Sequence, residues 1–93
     1  MSTVTKEQIE EKVEETNKNP YVIILHNDDH NSFDGVITNL MKHCEHSQPQ
    51  AEQVANIVHY TGKCDVKKGD KETITKIFNK LKGAGLTVTM EGD

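Results

Sequence analysis

The fold is decided by the stretch YVIILHNDDHNSFDGVITNLMK, residues 21–42. Its first five residues are apolar and rich in β-branched side chains, which is typical of a buried central strand. A polar loop follows, and Ser32 is a good N-cap for a helix after it. The apolar residues beyond that cap recur at helical spacing. They are Phe33, Val36, Ile37, Leu40, Met41 and Cys44. The stretch therefore predicts a strand, a loop and an amphipathic helix.

A second helix is predicted to begin after Ser47. Ser at the N-cap, Pro49 just inside the helix and Gln50 at the third position form a capping box. Gly62 is expected to end the helix. Its buried stripe consists of Ala51, Val54, Ala55 and Val58.

The remaining residues predict a strand, a third helix and a last strand. Residues 63–66 form a short strand candidate, residues 67–69 a turn, and Asp70 can cap the helix that follows. The stripe of this helix is Ile74, Ile77, Phe78 and Leu81, and it ends at Gly83 and Gly85. Leu86, Val88 and Met90 alternate with threonines, the period-two pattern of a half-exposed strand.

The element order β-α-α-β-α-β predicts an α+β fold. Three strands with three helices on one face form a two-layer sandwich, with a mostly antiparallel sheet. Residues 1–19 are rich in Glu and Lys, and residues 5–19 contain only Ile9 and Val13 as sizeable apolar groups. They are predicted to be a disordered extension, with a partner-induced helix as the alternative. Residues 20–93 are the predicted core domain.

Composition argues against several classes of function. All eleven basic residues are Lys, and the net charge is −4, so the Arg contacts typical of nucleic-acid recognition are missing. The sequence has neither an apolar run of the ~20 residues that span a bilayer nor a signal-peptide core near its start. We therefore expect a cytoplasmic protein that binds no nucleic acid or membrane. Cys44 and Cys64 are expected to be free thiols there.

A candidate binding site follows the first strand. The loop HNDDHN, residues 26–31, is the most polar stretch and lies between a strand end and a helix start, where binding loops are common. His59 lies at the edge of the buried face of the second helix, next to Val58. In so small a domain, the loop and this helix edge are expected to converge. A simple turn and cap is the alternative interpretation of Asn27, Asp28 and Asp29.

Two motifs of this chain resemble the ClpS family, the adaptor of the bacterial N-end rule. The first is residues 21–42, with its Asn-Asp-Asp between strand and helix, and the second is HYTGK at residues 59–63. The separation of the motifs fits the family without a gap. The resemblance is close over residues 20–63 and looser beyond them. It implies a non-enzymatic adaptor that docks on the N-domain of a ClpA- or ClpC-like AAA+ unfoldase.

The resemblance also implies a pocket for the N-terminal residue of a substrate. In it, Asn27, Asp28 and His59 would hold the α-amino group, whose three N–H donors need three acceptors. His59 must then be neutral, so binding should weaken as the pH falls through the range in which histidine titrates. The residues expected to shape the rim or the hole are Asp29, Asn31, Phe33, Val36, Ala55 and Val58.

Three positions depart from the family pattern. Asn31 stands where the family usually has a small hydroxyl residue, and Phe33 and Ala55 stand where Met is common. The small Ala55 suggests a roomier pocket that admits Ile and Val beside Leu and Phe. The chain is one residue shorter than the family around residues 64–69. Beyond that gap, Lys76 matches a position that docks on the unfoldase.

Other functions have weaker support. His43, Cys44 and His46 cluster at the end of the first predicted helix, but zinc needs four converging ligands and Cys44 belongs to the apolar stripe. Cys64 with His59 lacks an orienting third group, which argues against an enzyme. We expect no metal and no cofactor. The main alternative is an interaction domain that shares only the fold of the ribosomal stalk C-terminal domain.

Overall fold

The computed structural model describes residues 20–92. The predicted disordered extension, residues 1–19, lies outside these residues. The strands are β1 (Tyr21–His26), β2 (Lys63–Gly69) and β3 (Val88–Glu91). The helices are α1 (Phe33–His43), α2 (Gln48–Thr61) and α3 (Lys71–Gly83). The order β-α-α-β-α-β is the one that the sequence predicts.

The sheet has the order β2-β1-β3, and β1 pairs antiparallel with both neighbours. The apolar run of residues 21–25 therefore forms the central strand. Ile23 and Leu25 are fully buried against the helices. The core cluster also contains Leu40 from α1, Val54 from α2 and Ile74 from α3, so all three helices share one core with the sheet. The predicted α+β fold is confirmed.

Each helix begins at the residue that the sequence predicts. The Ser32 hydroxyl accepts from the Gly35 N–H at 2.9 Å. The Ser47 hydroxyl accepts from the backbone N–H three residues later at 3.2 Å, and the Asp70 carboxylate does the same at 3.1 Å. A short polar side chain satisfies an otherwise unpaired N–H at each start, which is why these sequence signals are reliable.

Strand β2 is longer than predicted. Residues 67–69 are not a turn but continue the strand, and Gly69 pairs with Tyr21. The register shifts between Ile23 and Ile24, so that Val66 has no direct partner opposite it. This bulge interrupts the period-two pattern by which strands are recognised in a sequence.

Two residues of the predicted α1 stripe are exposed. Phe33 is 44% exposed and Met41 is 40% exposed, whereas Leu40 and Cys44 are in the core. Phe33 is the first residue of α1 and lies where the helix leaves the loop. Only part of the apolar stripe is therefore used for folding, and Phe33 is left at a surface opening.

Candidate functional site

A cavity of about 510 Å³ opens between the loop after β1, the start of α1 and the second half of α2. Its size is within the range of pockets that bind small ligands. One end is polar and the other is apolar. The cavity is lined by Asn27, Asp28, Asn31, Phe33, Val36, Ala55, Asn56, Val58, His59 and Tyr60.

Backbone hydrogen bonds hold the loop against two distant segments. The Asn27 N–H donates to the Gly62 carbonyl at 2.8 Å, and the His26 N–H donates to the Thr87 carbonyl at 2.9 Å. Gly62 is the left-handed C-cap of α2, with φ 99°, a conformation that glycine adopts without strain. The last turn of α2, which contains His59, is thereby fixed next to Asn27.

Asp28 organises the loop. One of its carboxylate oxygens accepts from the N–H groups of His30 and Asn31, at 3.1 and 2.9 Å. The other accepts from the Asn31 side chain at 2.9 Å and from the Thr87 hydroxyl at 2.7 Å. Its side chain is only 12% exposed. The carboxylate thus closes the loop on itself and ties it to the residue before β3.

These hydrogen bonds keep Asp28 ionised. Burial by itself would raise the pKa of this carboxyl. The hydrogen bonds from Thr87 and from the side chain and backbone of Asn31 outweigh burial and lower the pKa of Asp28 to about 2. A fixed negative charge therefore lies at the polar end of the cavity at any physiological pH.

Asn27 and His59 present free polar groups at the cavity mouth. Both residues are exposed, and neither side chain makes a hydrogen bond within residues 20–92. The His59 ring meets the Tyr60 ring edge to face, with centroids 4.9 Å apart. This contact leaves the nitrogens of the imidazole available to a ligand.

The other end of the cavity is apolar. Ala55 and Val58 of α2 are buried, and Val36 of α1 is half-buried. Phe33 lies at the rim. Such a wall accepts an apolar side chain and offers it no hydrogen-bond partner.

The structure brings most of the predicted site residues to one place. Asn27, Asp28 and His59 line the same cavity, as do Asn31, Phe33, Val36, Ala55 and Val58. Asp29 does not. Its side chain is fully exposed, and its carboxylate lies 3.9 Å from the His30 ring. Asp29 is absent from the cavity lining, and its place at the rim stays a prediction.

Sequence reasoning missed Asn56 and Tyr60, which also line the cavity. Asn56 precedes His59 by three residues on α2, so helical spacing places both on one side of the helix. Tyr60 is 79% exposed, unusually so for an aromatic residue. The helical position of Asn56 relative to His59 was the available signal.

Lys76 lies on α3, outside the cavity lining. Its ammonium group is exposed and lies 3.9 Å from the Glu72 carboxylate, one turn earlier. An exposed pair of this kind contributes little to stability. Lys76 is therefore available for contact with another molecule.

The metal and thiol alternatives find no support in the structure. Within residues 20–92, no three His, Cys, Asp or Glu side chains are grouped as metal ligands. Burial raises the pKa of the Cys44 thiol to about 11, so Cys44 behaves as a core residue. Burial and the neighbouring Asp65 carboxylate raise the pKa of Cys64 as well.

Within residues 20–92, no helix is both long and apolar enough to cross a membrane.

Most of the chain matches a known protein family. The family model described as ATP-dependent Clp protease adaptor protein ClpS matches residues 16–89. The chain belongs to the ClpS family. Its members are adaptors of the Clp protease.

Individual ClpS proteins are similar over almost the whole chain. The ClpS adapter protein of a Nostoc species is 37% identical over 87 residues, which cover 92% of this chain and 89% of the relative. The ClpS adapter protein of Mycolicibacterium paratuberculosis is 33% identical over 89 residues, which cover 96% of this chain and 85% of the relative. The structure of Agrobacterium tumefaciens ClpS2 bound to L-phenylalaninamide superimposes with a TM-score of 0.67. It is 22% identical and covers 81% of this chain and 98% of that one.

Proposed function

We propose that this protein recognises substrates by a free N-terminal amine and a bulky apolar first side chain, and delivers them to an AAA+ unfoldase of the Clp protease. The proposal depends on one observation. Polar groups of Asn27 and His59 and the buried charge of Asp28 meet at the mouth of a cavity whose inner wall is apolar. We place this activity in the bacterial cytoplasm.

The polar end suits an α-ammonium group. An ammonium carries one positive charge and three N–H donors, and it accepts nothing. The side chains of Asn27 and His59 make no hydrogen bond within residues 20–92, and Asp28 stays ionised because its pKa is lowered to about 2. Hydrogen bonds to a charged partner are the stronger kind. An acetylated amine would lose both the charge and two donors.

The apolar end suits a large hydrophobic side chain. Burying a Leu or Phe side chain contributes roughly 1.5–3 kcal/mol. An unpaired buried acceptor costs about 1–3 kcal/mol. Since each half of the site supplies only a few kcal/mol, we infer that tight binding requires both features in one ligand. The relative from A. tumefaciens was bound to L-phenylalaninamide, a compound that has both.

Fluorescence anisotropy with three labelled peptides tests this function. The peptides share one sequence and begin with Leu, acetyl-Leu or Lys. We expect binding of the first alone, since acetyl-Leu lacks the ammonium and Lys lacks the apolar side chain. Equal affinity for all three peptides would contradict the proposal and would favour a general interaction domain.

Delivery is proposed to use the exposed face of α3 around Lys76. This face is separate from the cavity, so a substrate and an unfoldase N-domain of the ClpA or ClpC kind can bind together. Lys76→Glu is expected to weaken binding to the N-domain about tenfold by reversing one charge. Peptide affinity should not change. Biolayer interferometry with immobilised N-domain measures the effect.

The matched control is Lys42→Glu, which makes the same charge change at an exposed position of α1. It should leave N-domain binding within about twofold of the wild type. If both variants weakened binding equally, the effect would come from net charge and the α3 face would not be the docking surface.

A further inference from the structure

The Asp28 carboxylate has no acceptor position left for a ligand. A carboxylate offers about four lone-pair sites. In this structure all four are used, by the N–H groups of His30 and Asn31, the Asn31 side chain and the Thr87 hydroxyl. An incoming ammonium could bond to Asp28 only by displacing one of these donors. Asp28 therefore acts on a ligand through its charge.

The orientation of the Asn31 amide is fixed by its neighbours. Its Nδ2 group lies 2.9 Å from an Asp28 carboxylate oxygen and 2.9 Å from the Gly85 carbonyl oxygen. Both neighbours only accept hydrogen bonds, so the opposite orientation would set oxygen against two oxygens. The nitrogen must face them, and both of its hydrogens are used.

The Asn31 Oδ1 atom is then an unused acceptor on an amide whose nitrogen is fixed by two hydrogen bonds. Within residues 20–92 it receives no hydrogen bond, and Asn31 lines the cavity beside Asn27 and Asp28. The two N–H donations polarise the amide and strengthen its oxygen as an acceptor. Because the amide is already ordered, little side-chain entropy is lost when a ligand bonds to it.

We propose that Asn31 Oδ1 is the third acceptor for the substrate ammonium, next to Asn27 and His59, with Asp28 supplying the charge behind it. This inference builds on the proposed function. The three N–H donors of the ammonium need three acceptors, and Asn27 and His59 supply only two. Asn31 is then a binding residue for the α-amino group. The interpretation of Asn31 as a residue that shapes the rim or the hole covers only part of this role.

A ligand with one donor fewer tests the assignment. An N-methyl-Leu peptide keeps the positive charge but has two N–H groups. Wild-type protein is expected to bind it about tenfold more weakly than the Leu peptide, the effect of one charge-assisted hydrogen bond. In Asn31→Ala the lost side chain removes the acceptor and makes room for the methyl group. The difference between the peptides should fall below about threefold.

Thr87→Val is the matched control, because it removes another hydrogen bond to Asp28 and keeps Asn31. It should weaken both peptides and preserve the tenfold difference between them. A full difference in Asn31→Ala, or its loss in Thr87→Val, would overturn the inference and leave Asn31 with a role in loop order only. If wild type binds neither peptide, the proposed function itself fails.

The wild-type protein gives a second readout that needs no variant. The side-chain carbonyl carbon of Asn31 should shift in the NMR spectrum when the Leu peptide binds, because a new hydrogen bond polarises the carbonyl. The N-methyl-Leu peptide should shift it less. An unchanged resonance with bound Leu peptide would contradict the assignment even if the Ala variant does not fold.

Discussion

Asp28→Asn is expected to weaken binding of the Leu peptide about 100-fold. A unit charge ~5 Å from the ammonium contributes roughly 3 kcal/mol at an effective dielectric constant of 20, and this substitution removes it. The NH2 group of the new amide must replace one of the two oxygens. It then faces N–H donors in either orientation, the backbone N–H groups of His30 and Asn31 or the Asn31 side chain, so the loop loses order. Anisotropy titration at neutral pH measures the affinity.

Asp29→Asn is the control for this prediction. It removes the same charge from the neighbouring residue, whose side chain is fully exposed. Screening by solvent should keep the change in affinity below about threefold. Equal losses for the two variants would show that the loop acts through its net charge, and that the buried position of Asp28 is unimportant.

Asp28→Asn is also expected to change the pH dependence of folding stability. The pKa of Asp28 is about 2 when folded, against an ordinary 3.8. A lowered pKa stabilises the folded state at pH values above the ordinary pKa of the group. This stabilisation is lost as the pH falls toward 2. By linkage it is worth about 2 kcal/mol at pH 7. The unfolding free energies of wild type and Asp28→Asn should therefore differ at pH 7 and converge between about pH 4 and 2.

Local patterns predicted most of the fold. The apolar run of β1 and the caps Ser32, Ser47 and Asp70 each depend on residues within a few positions, so their signals are visible in the sequence. The end of β2 was missed because the bulge at Val66 arises from pairing with β1, more than 40 residues away along the chain.

The residues of the candidate site could be predicted from the sequence, but the hydrogen bonds between them could not. The polar loop and His59 stand out by residue type and by their match to two motifs. The Thr87 hydroxyl and the Gly85 carbonyl are 59 and 54 residues from their partners in the loop, and no local pattern connects them. Without those contacts, the sequence suggests that Asp28 bonds directly to the ligand. The structure instead shows its acceptor positions occupied.

We expect the apolar half of the cavity to decide which first side chains of a peptide are accepted. Ala55 is 4% exposed and lies in the wall with Val36 and Val58. A methyl group at this point leaves space for a side chain that branches at its first carbon. We expect wild-type protein to bind peptides beginning with Leu and Ile within about threefold of each other, which is a difference of less than 1 kcal/mol.

Ala55→Met is expected to weaken binding of the Ile peptide about 30-fold and of the Leu peptide less than fivefold. The added atoms overfill the wall near the ligand, and overpacking of this kind costs about 1–3 kcal/mol. Ile is affected more because its branch lies closer to the peptide backbone and cannot turn away. Asn56→Met adds the same side chain at the exposed rim and should leave the ratio of the two affinities unchanged. Strict rejection of Ile by the wild type, or an equal loss for Leu and Ile in Ala55→Met, would show that Ala55 does not set the width of the cavity.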